Sequence, residues 1–256
     1  PSSTATEILL IVASLAEGIT IIDNAETKPE IIDLVDYLKK MGARISGAGT
    51  STVKIKGVKE LTASNHSVIP DYLEACTFMV ASAITKGNVY IRNVIPDHLR
   101  PAIAKLQETG VQISKSHSSL HLETKTKINA IDIVATKPYP GLSSDMQPLF
   151  VSLLTEAKGT SIVKDLVFEN RFMYTNELKK MGADIKAHGS GILIHGVEKL
   201  KGVPVTATDI RGGAALILAG LTAEGETEIN GAHHIDRGYE KIEEKLTRIG
   251  ARIRKE

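Results

Sequence analysis

Residues 139–159 read YPGLSSDMQPLFVSLLTEAKG. The Pro140-Gly141 pair marks a turn. Asp145 follows Ser143 and Ser144 and precedes a segment, Met146 to Leu154, that carries no charged residue. A helix that is apolar on all sides is a buried helix. The stretch therefore predicts a carboxylate at the N-terminal end of a core helix. Two roles compete for Asp145: an N-cap, which Asp and Ser favour, or a catalytic base facing a cleft.

Working outward, the same pattern recurs. Apolar helical runs end at glycines in TEILLIVASLAEG (Gly18), EACTFMVASAITKG (Gly87), the opening stretch (Gly159) and GGAALILAGLTAEG (Gly225). Each is followed by a β-like run: ITIIDN, NVYIRNV, TSIVKDL and ETEING. An amphipathic helix comes next. Its apolar stripe is Ile31, Leu34, Leu38 and Met41 in the first copy, and Phe172, Leu178 and Met181 in the third. Glycines 42, 110, 182 and 250 close these helices, after Lys or Arg in the last turn in most copies. Copies one and three finish with the strand pairs ARISGAG/TVKIKGV and ADIKAHG/GILIHGV. Residues 67–71, 132–136 and 204–208 read as strands preceding the buried helices, and ARIRK as the first strand of an unfinished fourth pair. Several wholly apolar helices can bury one another only in a shared centre. The expectation is an α/β fold of βαβαββ units with helices inside and sheets outside.

The chain has 256 residues and a net charge of +1, so bulk charge makes no case for nucleic acid or membrane. No apolar run is long enough to span a bilayer, and PSSTATE lacks the basic start of a secretion signal. The first residue is Pro1, as expected of a piece of a longer protein. The single cysteine, Cys76, precludes an internal disulfide and fits a reducing compartment; its apolar surroundings suggest packing rather than nucleophilic chemistry. Adjacent His233-His234 do not share a helix face, and no metal-ligand spacing supports them. GAGTST (47–52) lacks the strand-to-helix setting of a phosphate loop.

Polar clusters stand at the starts of the buried helices: PSSTATE, PDYLEA, SSDMQ and TDIRGG. Helix N-termini present unpaired N–H groups and the positive end of the dipole, which suits an anion. FENRF and HIDRGYE lie at amphipathic helix starts and add arginines. Arg171, Arg211 and Arg237 are thus expected at equivalent helix-entry positions, where the dipole favours acids. Structural ion pairs with Glu169, Asp209 and Asp236 are one explanation. A phosphate or carboxylate clamp is the other.

The motifs ATKPYPGLSSDMQ, FENRFMYTNELKKMGADI, GVEKL, ATDIR and HIDRGYEKIEEKL resemble the enolpyruvyl transferase family, and the resemblance runs the length of the chain. It is nearer to the branch acting on UDP-N-acetylglucosamine than to the one acting on 3-phosphoshikimate. It implies an inside-out α/β barrel with four of the family's six repeats. Residues 1–66 would be the last repeat of a first domain and 67–256 most of a second, its final strands absent. A preceding segment of the same protein would carry a Lys-Asn pair, a loop with a Cys or Asp acid, and a loop arginine. Cys76 matches none of these.

The activity implied is transfer of enolpyruvyl from phosphoenolpyruvate to the 3-hydroxyl of UDP-N-acetylglucosamine, a cytoplasmic step of peptidoglycan synthesis. It requires neither metal nor organic cofactor. By the same resemblance Asp145 is the base, with Asp209 near the reacting carbon and Arg237 on the phosphate. Arg171 and Arg211 support the anions, Val167 touches the nucleotide sugar, and Ser2 with Ser3 hold its diphosphate. Departures from the family pattern are Thr4 for a glycine, Lys28 for an acid, Tyr72 for an arginine, and Gly212-Gly213 for Ala-Ser. Alternatives are a non-catalytic folding or binding module derived from the fold and a divergent paralogue of the 3-phosphoshikimate type.

Overall fold

A computed structural model describes residues 1–136, 139–168 and 171–256. Strand residues 134–136 are described by their backbone only. The chain divides into two compact units, one of residues 1–70 with 139–141 and one of residues 71–136 with 142–256 and its described loops.

The first unit contains α1 (Ser3–Ala13), β1 (Ile19–Asp23), α2 (Pro29–Lys40), β2 (Arg44–Ser46) and β3 (Thr52–Lys56). The strands form an antiparallel sheet in the order β1-β3-β2. Of the predicted stripe of α2, Ile31 and Leu38 are buried with Val53 and Ile55 of β3, while Leu34 and Met41 are partly exposed and Val35, outside the predicted stripe, is fully buried. The helix α1 departs from expectation. Leu10 and Ala13 join this core, but Ile8 is 55% exposed and Val12 63%, and Leu9 and Ile11 are exposed beside them. Its sequence is apolar all round, yet the unit supplies neighbours for one side only.

In the second unit the order is α3 (Tyr72–Ile84), β4 (Asn88–Arg92), α4 (Arg100–Glu108), β5 (Gln112–Lys115), β6 (Ser119–Glu123), β7 (Ile133–Thr136), α5 (Gln147–Leu154), β8 (Thr160–Asp165), α6 (Thr175–Lys180), β9 (Asp184–His188), β10 (Gly191–His195), β11 (Val205–Thr206), α7 (Ile210–Gly220), β12 (Ile229–Asn230), α8 (Ala232–Asp236) and α9 (Ile242–Arg248). One sheet runs β4-β6-β5, a second β7-β8-β10-β9, and β11 pairs with β12. The β7–β8 and β11–β12 pairs are parallel and the rest antiparallel.

Here the buried helices behave as predicted. Every residue of α5 is buried, as are Ala75 to Val80 of α3 apart from partly exposed Phe78, and Gly212 to Ala219 of α7. Ser152 Oγ is satisfied within the core, donating to the Ala215 carbonyl of α7 at 2.8 Å, whereas Ser82 Oγ of α3 and Gln147 Nε2 of α5 are buried with no hydrogen-bond partner among the described residues. The C-terminal ends of the three helices border one cavity of about 390 Å³, lined by Thr85, Lys86, Glu156, Lys199 and Thr222 among others. The three helices therefore run side by side in one direction, with their N-termini gathered at the opposite end.

Other corrections concern strands. Residues 67–71 and ARIRK (251–255) are not strands, since no strand among the described residues pairs with them. Conversely, copy two does end in a strand pair, β5 and β6, whose inward residues Leu120 and Leu122 are fully buried. That alternation was present in SSLHLE. Gly42, Gly110, Gly182 and Gly250 all adopt left-handed backbone, φ +94° to +106°, as the cap reading requires.

Closure of the unit rests on a different glycine. Gly196, just after β10, donates to the Gly159 carbonyl at 3.0 Å, and Val197 to the Thr155 carbonyl at 2.7 Å, which ties the strand to the end of α5. A Cβ at Gly196 would lie 1.7 Å from the Ala157 carbonyl oxygen. At Gly182 a Cβ meets nothing within 4 Å. Gly196→Ala is therefore expected to destabilise the chain by about 3 kcal/mol through overpacking, and Gly182→Ala by only about 1–2 through its backbone conformation. Equal urea midpoints for the two variants would contradict this reading of the closure.

Candidate active site

The N-termini of the core helices are capped unequally. Asp71 Oδ1 accepts from Leu73 N (2.7 Å) and Glu74 N (3.1 Å) at the start of α3. Asp209 Oδ1 accepts from Arg211 N (2.9 Å) and Gly212 N (2.8 Å) at the start of α7. Both are true N-caps. Asp145 is not. The helix α5 begins at Gln147, and Met146 holds the cap position with no side-chain hydrogen bond. Between the two roles open to Asp145, the cap is thereby removed.

The carboxylate of Asp145 is paired instead with Arg171, whose Nη2 contacts Oδ1. The pair keeps a solvent face, with side chains 27% and 22% exposed. Arg171 Nη1 donates to Ser144 Oγ at 2.8 Å. Ser144 in turn donates to Asp165 Oδ2 at 2.5 Å. The Arg171 guanidinium also lies over the Phe168 ring, 4.9 Å from its centroid. Of the ion pairs proposed from sequence, Glu169 falls outside the described residues. Asp209 is occupied as a cap, and Asp236 binds Lys255 Nζ at 2.6 Å.

Arg211 is the second residue of α7, half-buried. Its guanidinium lies 5.4 Å from the Tyr239 ring centroid. Burial opposes its charge, but Tyr239 and the Asp145 and Asp71 carboxylates outweigh burial and shift its pKa upward. Those three groups, from the starts of α3 and α5 and from the chain after α8, thus converge on one cation. The Tyr239 hydroxyl is hydrogen-bonded to Thr77 Oγ1 at 2.8 Å. Arg211 Nη1 is buried and has no partner in hydrogen-bond geometry among the described residues. Arg237 is exposed at the end of α8, with no ion pair among the described residues, and so is not at a helix start equivalent to Arg211.

The remaining sequence candidates fall in two places. Val167 is exposed beside Phe168, and its N–H is held by Asp165 Oδ1 at 2.9 Å. In the first unit, Ser2 caps α1, its Oγ 3.4 Å from Ala5 N, and Ser3 Oγ accepts from Lys28 Nζ at 3.2 Å. Lys28 also stands 4.0 Å from Glu26. Tyr72 is buried edge-on to His98. Gly212-Gly213 have a packing reason. A Cβ at Gly212 would lie 2.7 Å from Asp209 Oδ2 and 2.9 Å from Tyr174 Cβ, and one at Gly213 would lie 2.5 Å from Ile235 Cγ1.

Sequence reading missed Asp165, Tyr174, Gln147 and Tyr239. Tyr174 is buried and donates to Gln147 Oε1 at 3.1 Å. Burial holds its pKa well above the usual phenol value, against the opposing pull of Arg171. Their one signal was polar character inside apolar runs. No group of three or more His, Cys, Asp or Glu among the described residues could hold a metal, and none of the described helices is long and apolar enough to cross a membrane. His233 and His234 lie against each other, ring centroids 4.1 Å apart.

Residues 1–246 match the family model described as EPSP synthase (3-phosphoshikimate 1-carboxyvinyltransferase). The chain is 54% identical over 253 residues to UDP-N-acetylglucosamine 1-carboxyvinyltransferase 1 of Caldanaerobacter subterraneus subsp. tengcongensis. It is 52% identical over 255 residues to the UDP-N-acetylglucosamine 1-carboxyvinyltransferase of Halothermothrix orenii. These matches take in 99% and 100% of this chain, which spans 61% of the length of each relative. Among solved structures, the enolpyruvyl transferase NikO from Streptomyces tendae superposes with a TM-score of 0.88 at 28% identity, over 98% of this chain and 60% of that one. EPSP synthase from Acinetobacter baumannii superposes at 0.78 and 21% identity, over 100% and 62%, and supports the fold alone. The helix-cored α/β architecture expected from the repeats is thus that of the inside-out barrels of these proteins.

Cys76 offers a test of the core beneath this site. It is fully buried, and burial pushes its thiol up to about 12 from 9.0, against the lowering effect of Arg211. An acid with a raised folded-state pKa stabilises the fold below its unfolded pKa and loses that contribution as pH rises above it. The stability advantage of wild type over Cys76→Ala should therefore shrink by about 1.4 kcal/mol per pH unit between about 9 and 12. A difference independent of pH across that window would show the thiol to be solvated.

Proposed function

The chain belongs to the EPSP synthase (3-phosphoshikimate 1-carboxyvinyltransferase) family, and from that premise we propose that the whole protein transfers the enolpyruvyl group of phosphoenolpyruvate to the 3-hydroxyl of UDP-N-acetylglucosamine. The observation that carries the proposal is the uncapped Asp145 carboxylate, paired with Arg171 at the mouth of α5. It lies in a chain about half identical to relatives named for that substrate. The reaction belongs to peptidoglycan synthesis in the cytoplasm.

In the addition step, the sugar hydroxyl oxygen attacks C2 of phosphoenolpyruvate while C3 gains a proton. The product is a tetrahedral ketal bearing carboxylate and phosphate. Loss of the phosphate and of one C3 proton gives the enol ether. Asp145 is the base that accepts the hydroxyl proton. Arg171 and Arg211 balance the anionic carboxylate and phosphate, Arg237 contacts the phosphate, and Asp209 stands near the reacting carbon. Val167 touches the nucleotide sugar, and Ser2 and Ser3, at the start of α1, hold its diphosphate. Fixed cations aimed at developing charge are the main electrostatic resource for such a step. Asp145 is already engaged by cations, so it acts by position, within reach of the 3-hydroxyl, rather than by enhanced basicity. The acid that protonates C3 comes from the part of the protein that this chain does not span.

In the full-length protein, Asp145→Asn is expected to lower the rate of phosphate release by roughly a hundredfold or more, the value of a positioned general base, with little change in melting temperature. Near-normal turnover by a well-folded variant would remove Asp145 from the base role.

The same reading assigns the exposed face of α1 to the preceding segment of the protein, which would complete a first domain. Val12→Lys should change the stability of the 256-residue chain by no more than about 0.5 kcal/mol, as for an exposed site. In the full-length protein the same change should cost about 2 kcal/mol or more, because a buried charge is unpaired. Equal, small effects in both would leave the face uncovered.

A further inference from the structure

Asp165, the last residue of β8, is 5% exposed and has no part in the chemistry above. Each of its oxygens is committed. Oδ1 accepts the N–H groups of Val167 (2.9 Å) and Phe168 (3.1 Å), and Oδ2 accepts the Ser144 hydroxyl (2.5 Å). An ionised carboxylate only accepts. The Ser144 proton is therefore directed to Asp165, and a lone pair of Ser144 Oγ is left for Arg171 Nη1 at 2.8 Å. That fixes one edge of the guanidinium and turns Nη2 onto Asp145. The flat face of the same guanidinium rests on the Phe168 ring, and the Phe168 backbone is the second group that Asp165 Oδ1 anchors. One buried carboxylate thus holds Arg171 twice, at its edge through Ser144 and at its face through Phe168.

We propose that Asp165 and Ser144 are positioning residues that orient Arg171 and, through it, the Asp145 carboxylate. Neither touches the reacting atoms. The chain of contacts runs from β8 across the loop before α5 to the segment before α6, and it places the Asp145 oxygen by hydrogen-bond direction rather than by packing alone. The alignment required of a reacting group is strict, and a misplacement of about 1 Å can cost on the order of a hundredfold in rate.

The kinetic arm of the test rests on the enolpyruvyl transfer reading; the structural arm does not. In the full-length protein, Ser144→Ala should lower kcat by roughly 10- to 100-fold with only a modest fall in melting temperature from the buried Asp165 oxygen left unpaired, and Ser144→Thr, which keeps the hydroxyl, should restore most of that loss. Asp165→Asn should resemble Ser144→Ala, and Ser144→Ala carries the test if that buried substitution impairs folding. Crystal structures should show Arg171 displaced from Asp145 in Ser144→Ala and in place in Ser144→Thr. Equal impairment by Ala and Thr, or an undisplaced Arg171 in Ser144→Ala, would overturn the proposal. If wild type releases no phosphate from phosphoenolpyruvate and UDP-N-acetylglucosamine, the functional reading fails, and the position of Arg171 in the two Ser144 variants still decides this inference.

Discussion

Three helices with no outward polar face must bury one another, and the second unit is arranged around that demand. With α3, α5 and α7 side by side, polar side chains can reach solvent only at the helix ends or be satisfied inside, as Ser152 is by the Ala215 carbonyl. Because the helices point the same way, their ends differ electrostatically. The gathered N-termini form a region of positive potential where anions are favoured. The C-termini close around the cavity at the far end. The location proposed for the chemistry therefore follows from the packing of the core.

At the N-terminal end, the division of labour among the aspartates follows from local geometry. Asp71 and Asp209 precede their helices directly and are consumed by backbone N–H groups. Asp145 lies two residues before α5, behind Met146, and so faces outward to Arg171. That offset pairs Asp145 with a cation, whereas Oδ1 of Asp71 and of Asp209 is held by backbone N–H groups. Arg211, held between the Asp145 and Asp71 carboxylates and the Tyr239 ring, retains its charge in spite of burial. A cation with an unpartnered buried nitrogen costs stability unless an acceptor completes it, and the anionic groups of a substrate are acceptors of that kind.

Much of the fold was legible because its signals are local. Charge-free helical runs, the glycines after each amphipathic helix and the alternating strands each follow from the chain within a few residues of themselves. Asp145, Arg171 and Arg211 stood out as charged groups at helix starts. The ordering of those groups was not legible. Asp165 looks like the end of an ordinary strand in TSIVKDL, and its role arises from Ser144, 21 residues away. Tyr239 looks like one residue of an amphipathic run until Thr77, 162 positions earlier, is found against its hydroxyl. Long-range pairing of this kind leaves no period in the sequence.

The helix α1 marks where a local rule needs its context. TEILLIVASLAEG carries the same apolar signature as the core helices, and the inference that it must be buried is physically sound. In its unit, however, only Leu10, Ala13 and Thr6 find cover, and a contiguous apolar face made by Ile8, Leu9, Ile11 and Val12 remains in water. Isolated exposed apolar residues need no explanation, whereas a face of this kind marks a surface made to be covered. The sequence pattern thus reports the environment for which the helix is built. In α3, α5 and α7 that environment lies within the unit, and in α1 it does not.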